Sequence, residues 1–383
     1  MSLIPKVIRP PALATTEGSS TFDPLLSIVG LDTPTEEQML FFYDNPHLRP
    51  RGETTHYPAL DAHFKWMPGY LNVLTAWAND GKSELYRALL LPRAALDGKK
   101  SLVWAPEDMP REAYFDSLIH SLTGQNPASD GFKPLPRLYY QRAMAWVREY
   151  FYVVQFQKGQ GKTPSHIRDV FEAARAKLGV SHFGLDPWHK ADHSGLTAAG
   201  GIQPYLMREL GAFTDWSIET GSYLHIIANP KGKIRAKGEA REVPDSDMIS
   251  GGMGWDDLPH TIMAGYRPQK HVCRNNPAFA IYVHKIKSQR RMGAVPGSIG
   301  DGSENPDVLV TFDSDSARYL INGSSPLSDP RIQAIYAPEL ASSPAPAMTP
   351  TAPVESLFRP LPASNFDMPP PISPTEFDGP VPF

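Results

Sequence analysis

The chain has 383 residues, 41% of them hydrophobic, which is enough to bury a sizeable core, and its formal net charge of −4 removes any global basic signature, so a nucleic-acid contact has to come from a local patch. Cys273 is the one cysteine, which excludes an internal disulfide framework, and the twelve histidines are scattered without zinc-ligand spacing. No apolar run approaches the roughly 18 residues of a membrane span, and the first residues lack the apolar stretch of a signal peptide, so a cytoplasmic protein with no membrane partner is expected.

The forty prolines are unevenly spread. From Ala341 onward the chain is rich in Pro, Ser and Ala with no regular apolar period, the composition of a disordered tail. Residues 1–30 read as a flexible N-terminus, 31–60 as a short helix and lead-in, 61–336 as the folded domain and 337–383 as the tail. Thr33-Pro34-Thr35-Glu36 has the pattern of a helix start, with Thr33 as N-cap, Pro34 at the first helical position and Glu36 closing a capping box. The helix it opens, Glu36 to Tyr43, carries Met39, Leu40, Phe41, Phe42 and Tyr43. That is more apolar surface than so short an element buries alone, so it should dock on its own core or on a neighbouring subunit.

An irregular passage then leads through Trp66-Met67 to Pro68-Gly69-Tyr70-Leu71-Asn72-Val73-Leu74-Thr75-Ala76-Trp77-Ala78-Asn79-Asp80-Gly81-Lys82-Ser83, an apolar strand followed by a tight loop and a helix. In the G-x-x-x-x-G-K-[ST] pattern, backbone N–H groups surround phosphates, the Lys reaches the β and γ oxygens, and the hydroxyl holds Mg²⁺. Gly81, Lys82 and Ser83 fit. Ala76 replaces the first glycine and excludes positive φ far more strongly, so the loop should turn through Asn79-Asp80 instead. Asn79, Asp80, Gly81, Lys82, Ser83 and Glu84 form the expected nucleotide-contacting set, with ATP as the nucleotide.

Beyond the loop helix, the strand Ser101 to Ala105 ends in Pro106-Glu107-Asp108, and acids at the carboxyl end of a parallel strand face the crevice where such folds bind ligands. Helices are expected from Arg111 to Thr123 and from Arg137 to about Tyr150, then a buried strand Phe151 to Phe156. Thr163-Pro164-Ser165 opens a helix from His166 to Leu178 in which Ile167, Val170, Phe171, Ala174 and Leu178 recur at helical spacing. The strand Val180 to Asp186 ends in a carboxylate, which is either a Mg²⁺-binding Walker B Asp or a cap for the next turn. A helix from Tyr205 to Thr220 leads to the strand Tyr223 to Ala228 and Asn229. A basic stretch follows: Lys231, Lys233, Arg235, Lys237 and Arg241, with Glu239 against them, either a solvated surface or a nucleic-acid contact. The last strands are Thr261 to Tyr266, Ala278 to Lys287 and a terminal hairpin of Val308 to Asp313 with Ala317 to Leu320. Alternating strands and helices with the phosphate loop first predict an α/β fold: a RecA-like P-loop ATPase core with a mainly parallel sheet covered on both faces and flanked by disordered termini.

The chain resembles the RecA-fold motor domain of DnaB-type replicative helicases, and more closely the helicase half of phage primase-helicases and of the Twinkle type. The resemblance spans about Asp61 to Leu320, through "DAHFKWMPGYLNVLTAWANDGKS", "WAPEDMPREAYFDSLI", "IRDVFEAARAKLGVSHFGLDPW", "YLMRELGAFTDWSIETGSYLHIIANPKGK", "DMISGGMGWDDLPHTIMAGYRP" and "VHKIKSQRRMG" in that order. It implies that Lys82 and Ser83 hold phosphate and Mg²⁺, that Glu107 orients the attacking water, and that Asp186 is the Walker B acid. Asn229 takes the place of the γ-phosphate sensor, usually His or Gln. Lys287, with Lys285 or Arg290 as substitutes, falls where the family places cationic fingers that reach a neighbour's nucleotide; a Lys lacks the bidentate fork of Arg. No primase or zinc domain is expected ahead of the motor.

The resemblance further implies that Lys231, Lys233, Arg235, Lys237 and Arg241 grip single-stranded DNA inside a homo-oligomeric, hexameric ring, with the apolar helix as linker to the adjacent protomer, in a bacterial or phage-infected cell. A RecA-like ATPase that does not unwind, acting as loader, recombination mediator or switch, is the alternative, since Ala76 and Asn229 depart from the family pattern. Last, Glu376-Phe377-Asp378-Gly379-Pro380-Val381-Pro382-Phe383 looks like the acidic tip of bacterial single-stranded-DNA-binding proteins, with a partial echo at Asn365-Phe366-Asp367-Met368-Pro369. It is expected to recruit replication proteins that read such tips.

Overall fold

The structure, a computed structural model, describes residues 30–49, 51–108, 110–128, 134–231, 240–297 and 306–341. The chain divides into two units at Pro50/Arg51. The first holds α1 (Thr33–Asp44), none of whose residues is buried. Its N-cap is Asp32 and not the expected Thr33: the Asp32 carboxylate accepts from Thr35 N at 2.9 Å. An anion at that end also meets the positive pole of the helix. Met39, Leu40 and Tyr43 are each more than half exposed.

In the second unit the elements run α2 (Pro58–Asp61), β1 (Leu71–Ala76), α3 (Lys82–Asp97), β2 (Ser101–Trp104), α4 (Arg111–Thr123), α5 (Arg137–Tyr150), β3 (Phe151–Val153), α6 (Pro164–Leu178), β4 (His182–Leu185) and α7 (Ile202–Thr220). They continue as β5 (Tyr223–Ala228), α8 (Gly254–Asp257), β6 (Thr261–Tyr266), β7 (Ala278–Ile286), α9 (Gln289–Met292), β8 (Val308–Asp313), β9 (Arg318–Leu320), α10 (Pro330–Tyr336) and α11 (Pro338–Ala341). The strands form one sheet in the order β3-β2-β4-β5-β1-β6-β7-β8-β9. From β3 through β6 every pairing is parallel, and β7, β8 and β9 add an antiparallel extension. Among the described residues no helix is long and apolar enough to cross a membrane.

All residues of β1 and β5 are buried, the polar Asn72, Thr75 and His225 included, because both strands lie in the middle of a doubly covered sheet. One face carries a core that includes Leu89, Leu118, Val147 and Ile332 from α3, α4, α5 and α10. The other packs Phe171 of α6 with Phe213 and Trp216 of α7. Residues 51–60, expected as a lead-in, contribute to the first core: Glu53 bridges to Trp66, and Tyr57 and Leu60 are buried.

The expected buried strand Phe151 to Phe156 shortens to β3, an edge strand with Tyr152 and Val153 half-buried. Among the described residues no strand lies on its outer side, and Val154 N donates to Val103 O at 2.9 Å just past its end. At the other edge Arg318 of β9 closes the end of α4, donating to Ser121 O at 2.7 Å and Leu122 O at 2.6 Å. Those are the carbonyls a helix C-terminus leaves over.

Candidate active site

Because β1, β2, β4 and β5 are parallel neighbours, the segments that follow them open on one edge of the sheet, where α/β folds of this kind bind ligands. After β1 the chain turns as the Ala76 substitution requires: Asn79 takes φ +60° and Gly81 φ +85°. Asn is among the few non-glycine residues that tolerate this region. Asp80 N closes the turn on Trp77 O at 3.1 Å. Gly81 has no substitute, since a Cβ there would lie 2.6 Å from the Tyr319 hydroxyl, which itself donates to Gly81 O at 3.1 Å. Gly81 also begins α3 without a side-chain cap. The first N–H groups of a 16-residue helix therefore remain available to an anion.

Lys82 lies over the loop, its ammonium donating to Trp77 O at 3.3 Å. Burial lowers its pKa, against the pull of Asp186, Asp80, Glu107 and Glu84. Asp186, immediately after β4, is 7% exposed. Burial pushes its pKa up to about 6, opposed by a hydrogen bond from Ser83 and, after repulsion from Asp108, by Arg87 and Lys82. A hydroxyl and a carboxylate side by side at the loop are the oxygen donors that Mg²⁺ takes, with phosphate and water completing its shell. The residues present therefore fit a nucleotide's phosphates with Mg²⁺.

Glu107, after β2, is half exposed and pairs with Lys190 Nζ at 3.0 Å, with His189 Nε2 at 3.9 Å. Asn229, after β5, donates from Nδ2 to His189 Nδ1 at 3.3 Å, and its Oδ1 is buried without a partner. His189 thus stands between the expected base and the expected sensor. Glu84 turns away to Arg87 at 2.9 Å, and Arg87 also holds Asp108 at 2.8 Å.

The other candidates lie elsewhere. Since β7 is antiparallel and Ile286 pairs with Thr261, Lys285 and Lys287 reach the end of the sheet opposite to the phosphate loop. Lys285 donates to the Asp256 carbonyl and Lys287 to Asp257 O at 3.0 Å. Arg290 is exposed on α9. Of the basic stretch, Lys233, Arg235 and Lys237 lie outside the described residues, as does the tail from residue 342. Lys231 N donates to Met248 O at 2.6 Å. Arg241 places its guanidinium 4.9 Å from the centre of the Trp77 ring, and Trp77 Nε1 donates to Glu242 O at 2.9 Å.

No protein-family model matches the sequence. Among curated proteins the chain is similar to the Twinkle homolog protein, chloroplastic/mitochondrial, of Arabidopsis thaliana, 22% identical over 263 residues that make up 68% of this chain and 36% of that protein. Among solved structures it is similar to an ATPase domain, with a TM-score of 0.55 and 12% identity, covering 76% of this chain and 99% of that one. A DnaB-like replicative helicase, described with its interactions with primase, superposes with a TM-score of 0.54 and 11% identity over 76% of this chain and 67% of its own. The chain has the RecA-like α/β fold of the ATPase domain and of the DnaB-like helicase on which it superposes.

In this RecA-like core the crevice contains groups that motif reading passes over. His189 and Lys190 follow Asp186 within one short turn, and their distance from a strand-final acid was a signal open to reading. Lys270 had none. It lies in the connection between β6 and β7 and donates to Ala78 O at 2.9 Å, to Asn79 O at 3.0 Å and to the Asp80 carboxylate, contacts that only the folded sheet creates.

Proposed function

We propose that the chain is an ATP-driven, ring-forming DNA helicase motor that translocates on single-stranded DNA. The observation that carries this reading is the split of the expected machinery over two ends of one sheet. Lys82, Ser83, Asp186 and Glu107 converge on the crevice, whereas Lys285, Lys287 and Arg290 are at the far end. A finger drawn from those three would complete another copy's crevice, so that hydrolysis takes place between adjacent protomers, as a ring arranges them. The names of the similar proteins, a Twinkle homolog and a DnaB-like replicative helicase, point the same way. The exposed apolar residues of α1 fit docking on an adjacent protomer.

When bound between Ser83 and Asp186, Mg²⁺ would offset charge on the phosphate oxygens. Lys82 exchanges the Trp77 carbonyl for phosphate. Glu107, held by Lys190 and His189, orients water at the mouth of the crevice, and Asn229 with His189 reports whether the terminal phosphate is present. Single-stranded DNA is gripped by Lys231, Lys233, Arg235, Lys237 and Arg241 through phosphate contacts that carry no sequence information. The tail tip recruits partners that read single-strand-binding-protein tips.

Strand displacement on a forked duplex, run beside ATPase with and without single-stranded DNA, tests the reading. Displacement dependent on ATP supports it, whereas DNA-stimulated ATPase without displacement favours a loader or switch. For the basic stretch, Lys233→Ala with Arg235→Ala should weaken single-strand binding, reduce its salt slope by about 1 to 2 and diminish DNA stimulation of ATPase. Intact binding at fixed salt would make the stretch a solvated surface.

A further inference from the structure

We propose that Lys270 is a positioning residue of the phosphate loop, one that neutralises Asp80 and fixes the loop carbonyls so that a nucleoside triphosphate can be held there. Asp80 lies between Asn79 and Gly81 and is 2% exposed. A carboxylate offers no proton to a phosphate oxygen and repels it, so a loop built to hold a polyanion has here a charge of the wrong sign. Lys82 is close enough to feel that charge, yet phosphate binding needs Lys82 for itself. Lys270 removes the conflict by placing its ammonium on Asp80 and on the Ala78 and Asn79 carbonyls, at 2.9 Å and 3.0 Å for the latter two.

The N–H of a peptide points opposite to its C=O, so holding Ala78 O against Lys270 aims the Asn79 N–H away from it. The turn that presents Lys270 is itself fixed. Lys270 N donates to Arg267 O at 3.2 Å, and the Arg267 guanidinium donates to Arg274 O at 2.6 Å and Asn276 O at 2.9 Å. The ammonium is thus held by a braced turn of another strand pair, and the loop depends on a residue far away in sequence.

This inference rests on the nucleotide-site reading, and one titration separates the two. The full chain is titrated with a fluorescent ATP analogue in Mg²⁺. No binding by the parent chain, or equal binding by Lys82→Ala, would overturn the site reading itself. With the site intact, Lys270→Ala should bind about 30-fold or more weakly, as happens when a buried carboxylate loses its cationic partner. Asp80→Asn added to Lys270→Ala should bring affinity back to within about 3-fold, and Asp80→Asn alone should bind more tightly than the parent. Undiminished binding by Lys270→Ala, or a double variant no better than the single, overturns the proposal. If Lys270→Ala does not fold, Asp80→Asn decides alone: weaker binding would show that the carboxylate is needed and the proposal wrong.

Discussion

Glu107→Gln is expected to hydrolyse ATP about 10²- to 10⁴-fold more slowly than the parent chain while still binding the Mg²⁺ nucleotide. The substitution keeps size and one acceptor oxygen but removes the charge that would orient and draw a proton from water. Its cost to the fold is small. Glu107 and Lys190 are about half exposed, and exposed ion pairs of that kind contribute about 1 kcal/mol or less. Nucleotide binding should survive because it depends on Lys82, Ser83, Asp186 and the first turn of α3, none of which Glu107 touches. Single-turnover hydrolysis beside equilibrium binding of a fluorescent ATP analogue separates the two effects. Turnover at the parent rate would remove Glu107 from the role of base; Asp108 is a poor substitute, because Arg87 already holds it at 2.8 Å.

What the sequence makes readable and what it hides follow from how far apart the interacting residues are. The phosphate loop, the carboxyl-terminal strand residues and the buried strands are local patterns, so the sheet, its mainly parallel pairing and the gathering of Lys82, Ser83, Glu107 and Asp186 are all anticipated. The displacement of the first glycine is readable in part: Ala76 sends the turn toward Asn79-Asp80, and Asn79 does take the positive φ, but the second such position is Gly81 and not Asp80. The contacts that finish the site join strands distant in sequence. Lys270 on Asp80, Tyr319 on Gly81 and Arg241 on Trp77 leave no periodic trace. The shortening of β3 is of the same kind: the five apolar and aromatic residues among positions 151–156 look buried until the strand order puts them at an edge. The cap at Asp32 is a different miss, a choice between two adjacent capping residues that local geometry decides.

A second large effect concerns the core beneath the sheet. The nucleotide-free chain should lose stability on acidification from about pH 7.5 to about pH 5, with up to about 2 kcal/mol of the loss coming from His225. His225 of β5 is fully buried among Phe64, Trp66 and Tyr86, with ring centres 6.0, 4.9 and 5.1 Å away, and neither ring nitrogen has a partner. Burial therefore lowers its pKa from 6.5 to about 3. His182 of β4 is pushed well below the usual range by burial and by the nearby positive charges of Arg93 and Lys99, and His260 falls to about 4, chiefly through burial. Between pH 6.5 and these folded-state values the unfolded chain binds more protons than the folded one, so stability is complete above about 6.5 and declines as pH falls. Asp186 acts in the opposite direction, since its raised pKa adds stability between about 6 and 3.8, but it is one group against three. Urea melts at the two pH values measure the loss. His225→Phe should make the pH dependence shallower by about 2 kcal/mol without loss at neutral pH, because an apolar ring of similar shape replaces a nitrogen pair that has nothing to bond. A slope that His225→Phe leaves unchanged would mean that the imidazole finds a proton acceptor or water on opening, and that the acid sensitivity of the fold belongs to its other buried histidines.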